Sequence, residues 1–191
     1  MTNFLALDFE TSGSDPSRNA PIQIGIAEFR DGVIHQTYQS IIGVTRRTDT
    51  NKITAVYDVA ALEISQITWN QIKNGPQASK VLSEIEEYTE WRHLPIVAFR
   101  APFDCGFWDR LLGMHFVQYE GAYRKTPRRS PLLGGWHCAH QLAQAKLTLP
   151  NYTLDAVSQA LGLGAQEKVH GALPDAVRAG RVWLALNGGA A

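Results

Sequence analysis

Apolar positions along this chain change their period several times, and the changes divide it into elements. Phe4-Leu5-Ala6-Leu7 is a wholly apolar run of the kind a buried central strand requires, and it continues into Asp8-Phe9-Glu10-Thr11. Period two in a strand sends Asp8 and Glu10 to one face and Leu7 and Phe9 to the other. After turn chemistry from Gly13 to Arg18, Ile22, Ile24 and Ile26 alternate with Gln23 and Gly25 and predict a second strand. Asp31-Gly32 is a hairpin signal, and Val33 to Ile42 follows as a third, antiparallel strand, so residues 1 to 42 read as a meander.

From Gly43 to Gln66 the periodicity weakens, with a short helix expected around Asp58 to Gln66. Pro76 opens a clearer helix, which should end near Arg92 with Val81, Leu82, Ile85 and Tyr88 on one stripe. Pro95 to Phe99 is nearly all apolar and suits another central strand. Phe103 to Met114 then reads as a helix with Phe107, Leu111 and Met114 inward, and Asp104 falls in its first turn, where the helix dipole favours a carboxylate. His115 to Leu133 reads as a long loop. Trp136 to Leu147 holds a short strand and a helix; Asn151 or Thr153 caps another helix through Leu161, and Gly162-Leu163-Gly164 stops it. The last helix spans about Leu173 to Leu186, with Pro174 and Asp175 in its opening turn.

Composition narrows the reading. With 191 residues, 45% of them hydrophobic, the chain suits one domain over 1–191 that can bury a sizeable core. Its two cysteines, Cys105 and Cys138, form neither a disulfide framework nor a zinc motif; His137, Cys138 and His140 lack a fourth ligand of suitable spacing. No stretch is long and apolar enough for a membrane span, and a cytoplasmic protein is expected. Eighteen basic residues balance eighteen acidic ones, which excludes a global positive field, so any contact with nucleic acid must be local. The densest basic segment is Arg124-Lys125 with Arg128 and Arg129.

Charge chemistry centres on a few carboxylates. Two of them, Asp8 and Glu10, share one face of a core strand, and burying such a pair calls for compensation by cations, for which hard divalent ions are suited. Asp104 opens one helix, and His170 stands five residues before Asp175 at the start of the last. Neither the Asp-x-Glu triplet nor the His-x4-Asp spacing is rare alone, each being expected about 0.3 to 0.4 times by chance at this composition. Their order and structural context give them weight.

In that order the residues resemble the DEDDh, or DnaQ-like, 3′→5′ exonucleases of the ribonuclease H-like fold. Asp8-Phe9-Glu10-Thr11-Ser12-Gly13 is similar to the family's first motif, Val97 to Asp104 to its second, and Tyr152-Thr153-Leu154 followed by His170 and Asp175 to its third. The resemblance covers about residues 3 to 187. It implies an α/β fold, a five-stranded mixed sheet flanked by helices, and two Mg²⁺ or Mn²⁺ ions held by Asp8, Glu10, Asp104 and Asp175. In-line phosphodiester hydrolysis accounts for these residue types, because one ion activates water and a second stabilises the leaving oxygen about 3.5 to 4 Å away. Oxygen ligands select hard metals, and His170 is suited to take a proton near neutral pH.

The expected activity is release of nucleoside monophosphates from single-stranded DNA or RNA 3′ ends. Phe9, Thr11, Arg100 and Phe103 are candidate substrate contacts; Phe9 and Phe103 can stack on terminal bases, although core packing is expected of at least one. Two departures from the family pattern stand out, Phe99-Arg100 in place of His-Asn and His137-Cys138-Ala139 in place of Asp-Thr. They keep open an alternative, a catalytically weak or inactive module of the same fold that binds nucleic acid or a partner. The segment 115 to 133 is also a candidate for docking onto a polymerase or for self-association.

Overall fold

The computed structural model describes residues 1–44, 55–119, 130–164 and 171–188. Three strands come first, β1 (Phe4–Thr11), β2 (Pro21–Arg30) and β3 (Val33–Ile41), each antiparallel to its sequence neighbour. Asp31 and Gly32 turn the β2–β3 hairpin with φ of 51° and 82°, the left-handed values that a tight two-residue turn needs. Two short strands follow much later, β4 (Ile96–Ala98) and β5 (Trp136–Cys138), and β4 pairs with β1 in parallel. The result is a five-stranded mixed sheet in the order β3-β2-β1-β4-β5.

Helices cover both faces because the central strands are apolar on both. Alternation along β1 sends Leu5, Leu7 and Phe9 into one core and Phe4 and Ala6 into the other. The first core is closed by α3 (Ala78–Glu86), a 3₁₀ turn over Thr89–His93 and α4 (Ala101–Tyr119). The second is closed by α5 (Ala139–Lys146), α6 (Leu154–Ala160) and α7 (Ala172–Leu186). Two short helices, α1 (Val59–Ser65) and α2 (Trp69–Asn74), flank a smaller cluster around Ile22, Val44, Ile67 and Ile72. No helix among the described residues is long and apolar enough to cross a membrane.

Three expectations need correction. The helix expected to run from Pro76 to about Arg92 stops at Glu86, and a 3₁₀ turn carries Trp91 into the core, where its indole N–H donates to Glu28 at 3.0 Å. Satisfying that buried donor outweighs another turn of helix. The segment 115 to 133 is not all loop, because α4 continues to Tyr119, five residues beyond Met114, through a stretch with neither glycine nor proline to end it. Its residues 120–129, which include the basic segment, lie outside the described residues. Last, α2 carries a Thr68/Gln71 capping box that marks its start, yet no helix is expected there from its apolar pattern.

Candidate active site

Strand β1 ends in a register shift between Glu10 and Thr11, a bulge of the kind that re-aims side chains at functional sites. Just before it, Asp8 lies opposite Gly25 of β2, and Glu10 lies opposite Gln23. These two partners seat the last helix. A Cβ on Gly25 would stand 2.2 Å from the Leu173 backbone nitrogen, so only glycine lets the first turn of α7 lie directly on the sheet. Beside it, the Gln23 side-chain oxygen accepts the Ala172 N–H at 2.9 Å.

That seating brings Asp175 to β1. Ligand oxygens of Asp8, Glu10 and Asp175, all half-buried, lie within 4.8 Å of one another. The Arg178 guanidinium, 14% exposed, donates to Asp175 Oδ1 at 3.3 Å and also binds Asp155 of α6, which fixes Asp175 from the side. Asp104 arrives from the other face, at the end of the first turn of α4, where its N–H and that of Phe103 are directed to the Arg100 carbonyl. It is 2% exposed, and its Oδ1 has no hydrogen-bond partner.

The electrostatics favour a bound cation. Burial, followed by the charges of Asp104, Asp175 and Glu10, holds Asp8 well above the ordinary carboxylate range. Burial pushes Asp104 up to about 8, although backbone N–H groups of Phe9 and of Asp104 itself favour its ionised form. An orphaned buried oxygen beside three converging carboxylates costs folding free energy unless something positive is bound. The oxygen-only donor set fits a hard divalent ion.

Other sequence candidates fall in varied places. Phe9 is 5% exposed and packs in the core against Trp108, on the face opposite Asp8 and Glu10, so core packing is the role its position supports. Phe103 is half-buried and packs against Phe107, with ring centroids 4.9 Å apart. Thr11 directs its hydroxyl to the Gly13 carbonyl at 2.7 Å, and Arg100 is exposed. His170 and its proposed proton transfer lie outside the described residues. Gln23 and Arg178 were not singled out by motif; an Asp-x-x-Arg pair one turn apart on the final helix is the signal that points to Arg178.

The loop after β1 is held by a polar knot. Asn19, 4% exposed, donates through its amide to the Ser12 and Val56 carbonyls at 3.1 Å, and Ser12 Oγ donates to the Val56 carbonyl at 2.6 Å. The first motif therefore leaves the sheet in a fixed direction.

An exonuclease family model, that of RNase T, matches residues 5–182. The chain belongs to this exonuclease family. Membership bears out the resemblance to the DEDDh exonucleases. The PolC-type DNA polymerase III of Thermotoga petrophila is 31% identical over 181 residues, a match covering 95% of this chain and 12% of the polymerase. The chain therefore spans about an eighth of that relative's length. A zinc-bound complex of Escherichia coli Exonuclease I with single-stranded DNA superposes with a TM-score of 0.71 at 15% identity, covering 97% of this chain and 40% of that one. Exonuclease X bound to 5′-overhanging duplex DNA gives a TM-score of 0.66 at 18% identity, covering 97% of this chain and 91% of that one. These likenesses bear out the mixed sheet and flanking helices expected of the ribonuclease H-like fold.

Proposed function

We propose that the chain is a metal-dependent 3′→5′ exonuclease that releases nucleoside monophosphates from single-stranded ends. The observation that carries this reading is the convergence of Asp8, Glu10 and Asp175 beside the orphaned, buried Asp104 oxygen. Two Mg²⁺ or Mn²⁺ ions held by these four carboxylates would supply Lewis-acid stabilisation of the attacking and leaving oxygens. The chain's own part is to fix that geometry. Arg178 keeps Asp175 turned toward β1, and the close seating of α7 on Gly25 sets its distance from Asp8.

His170, five residues before Asp175, is assigned the proton acceptor on spacing and chemistry. In this scheme a water oxygen forms the new bond to phosphorus, its proton passes to His170, and the bond to the 3′ oxygen of the preceding nucleotide breaks as that oxygen takes up a proton from solvent. The products are a nucleoside 5′-monophosphate and a strand shorter by one residue. Single-stranded DNA in the Exonuclease I complex and the polymerase context of the PolC-type relative both support a nucleic-acid substrate. The neutral net charge agrees with few phosphate contacts and a modest salt dependence.

The test is product release from single-stranded DNA and RNA of equal sequence, with Mn²⁺ or with EDTA, for the wild type and Asp175→Asn. Metal-dependent mononucleotides that the variant fails to release are expected, and the strand cleaved faster identifies the substrate. A protein that binds Mn²⁺ but shortens neither strand would instead be the binding module of the same fold.

A further inference from the structure

The two departures from the family pattern lie about forty residues apart in sequence but meet in the fold. Strands β4 and β5 are parallel neighbours, with Ala98 opposite Cys138, so Phe99-Arg100 and Cys138-Ala139-His140 leave the sheet side by side. The Phe99 carbonyl accepts both the His140 backbone N–H at 2.9 Å and the Cys138 thiol at 3.4 Å. Phe99 is 7% exposed, and the His140 imidazole stands edge-on to it at 5.6 Å and to Tyr152 at 6.1 Å. The half-buried imidazole is thus held between two rings.

Arg100 follows directly and is exposed. Its charge reaches His140, since burial and then Arg100 lower the imidazole's proton affinity. Among the described residues no carboxylate forms an ion pair with Arg100, although four lie in the neighbouring site. Arg100, one helical turn ahead of Asp104, and the adjacent His140 imidazole, whose charged form is disfavoured, form a polar rim that carries the guanidinium's positive charge. Carboxylates with bound metals would take the scissile phosphate, which leaves this rim for another anion of the same strand.

We propose that Arg100 and His140 form a second phosphate subsite, engaging the phosphodiester next to the scissile one in a single strand. This rests on the nuclease reading and adds a substrate requirement to it. A guanidinium grips two phosphate oxygens at once, while a fixed imidazole supplies a third donor. Such contacts carry no base identity and touch no 2′-hydroxyl, so the subsite rewards strand length and is indifferent to sequence and to sugar. A dinucleotide, having only the scissile linkage, cannot use it; a trinucleotide can.

The experiment measures binding of dT dinucleotide and trinucleotide with Ca²⁺ in place of the catalytic metal, as a function of salt, and hydrolysis of both with Mn²⁺. Proteins compared are the wild type, Arg100→Gln, His140→Gln and, as a control, Arg92→Gln, an exposed residue ahead of the other end of β4. The wild type should prefer the trinucleotide by about tenfold, the size expected of a charge-assisted contact. Arg100→Gln should lose that preference through Kd and KM, not kcat, and its salt slope should fall by about 0.7. His140→Gln should lose part of it, and Arg92→Gln should match the wild type. Unchanged length preference and slope in Arg100→Gln would overturn the subsite, as would an equal loss on both oligonucleotides. A wild type that neither binds nor cleaves them overturns the nuclease reading itself, and that arm is read before any variant.

Discussion

The sheet holds two carboxylate sites, Glu28 with its donors and the group around Asp8, and they differ in whether the protein completes them. Glu28 of β2 has no exposed side-chain surface, yet its oxygens receive Arg30 Nε, His35 Nδ1 at 3.2 Å and the Trp91 indole N–H at 3.0 Å. Burial alone would raise its proton affinity; those hydrogen bonds and the Arg30 charge reverse the balance and lower it. Asp104 is buried like Glu28 and Asp8 is half-buried, but burial dominates both: for Asp8 the neighbouring carboxylates add to it, and for Asp104 two backbone N–H groups offset it only in part. A polar group that folding completes from within is architecture. One that folding leaves incomplete awaits something from outside.

The contrast has opposite signs in pH. Glu28 binds protons less readily in the folded chain, so its stabilisation is present above its ordinary value of 4.5 and is lost as pH falls through the lower folded value. Asp104 binds them more readily. Between 3.8 and about 8 the metal-free folded state holds a proton that the unfolded chain releases, so its contribution to stability declines as pH rises through that window.

The largest effect should come from the unfinished cluster. Asp175→Asn should cut metal-dependent hydrolysis by at least about a hundredfold, read in a single-turnover assay, since even residues that merely support metal ligands cost 10–100-fold. Next is the seat of α7. Gly25→Val places a side chain on the Leu173 backbone and should cost about 3 kcal/mol, seen as a melting temperature lower by about 10 °C and accompanied by weaker Mn²⁺ binding. Glu28→Ala should cost about 2 kcal/mol by orphaning the Trp91 N–H, while kcat below the melting range stays at its wild-type value. A fall in kcat there would erase the distinction between the two clusters. A last comparison sharpens it most: Asp104→Asn should gain stability relative to the metal-free wild type as pH rises, with a larger difference at pH 8.5 than at pH 5, measured by urea denaturation in EDTA.

Much of this was readable in the chain because local chemistry and tertiary need coincide. The Phe4–Leu7 run, the Asp31-Gly32 turn and the apolar stripe of the last helix each announce an element that the core then uses. The motifs that resemble the family's name Asp8, Glu10, Asp104 and Asp175, and the fold brings Asp8, Glu10 and Asp175 together. What escaped is relational. Gln23 matters through a hydrogen bond spanning 149 positions, and Trp91 ends a helix early because of a carboxylate 63 positions away. Neither reach is written in a local period. The junction of Phe99-Arg100 with Cys138 and His140 likewise exists only once β4 and β5 have paired.

Asp8 and Asp175 stand near opposite ends of the sequence, and only the docking of α7 onto Gly25 brings them together. Contacts of such long range close a large loop and form late, after the local meander is in place. Ion binding at the proposed site would therefore double as a clock for completion of the fold. A luminescent lanthanide added during refolding should stay dark while the meander forms and light up when the C-terminal helix lands, which would make the proposed metal site a probe of folding.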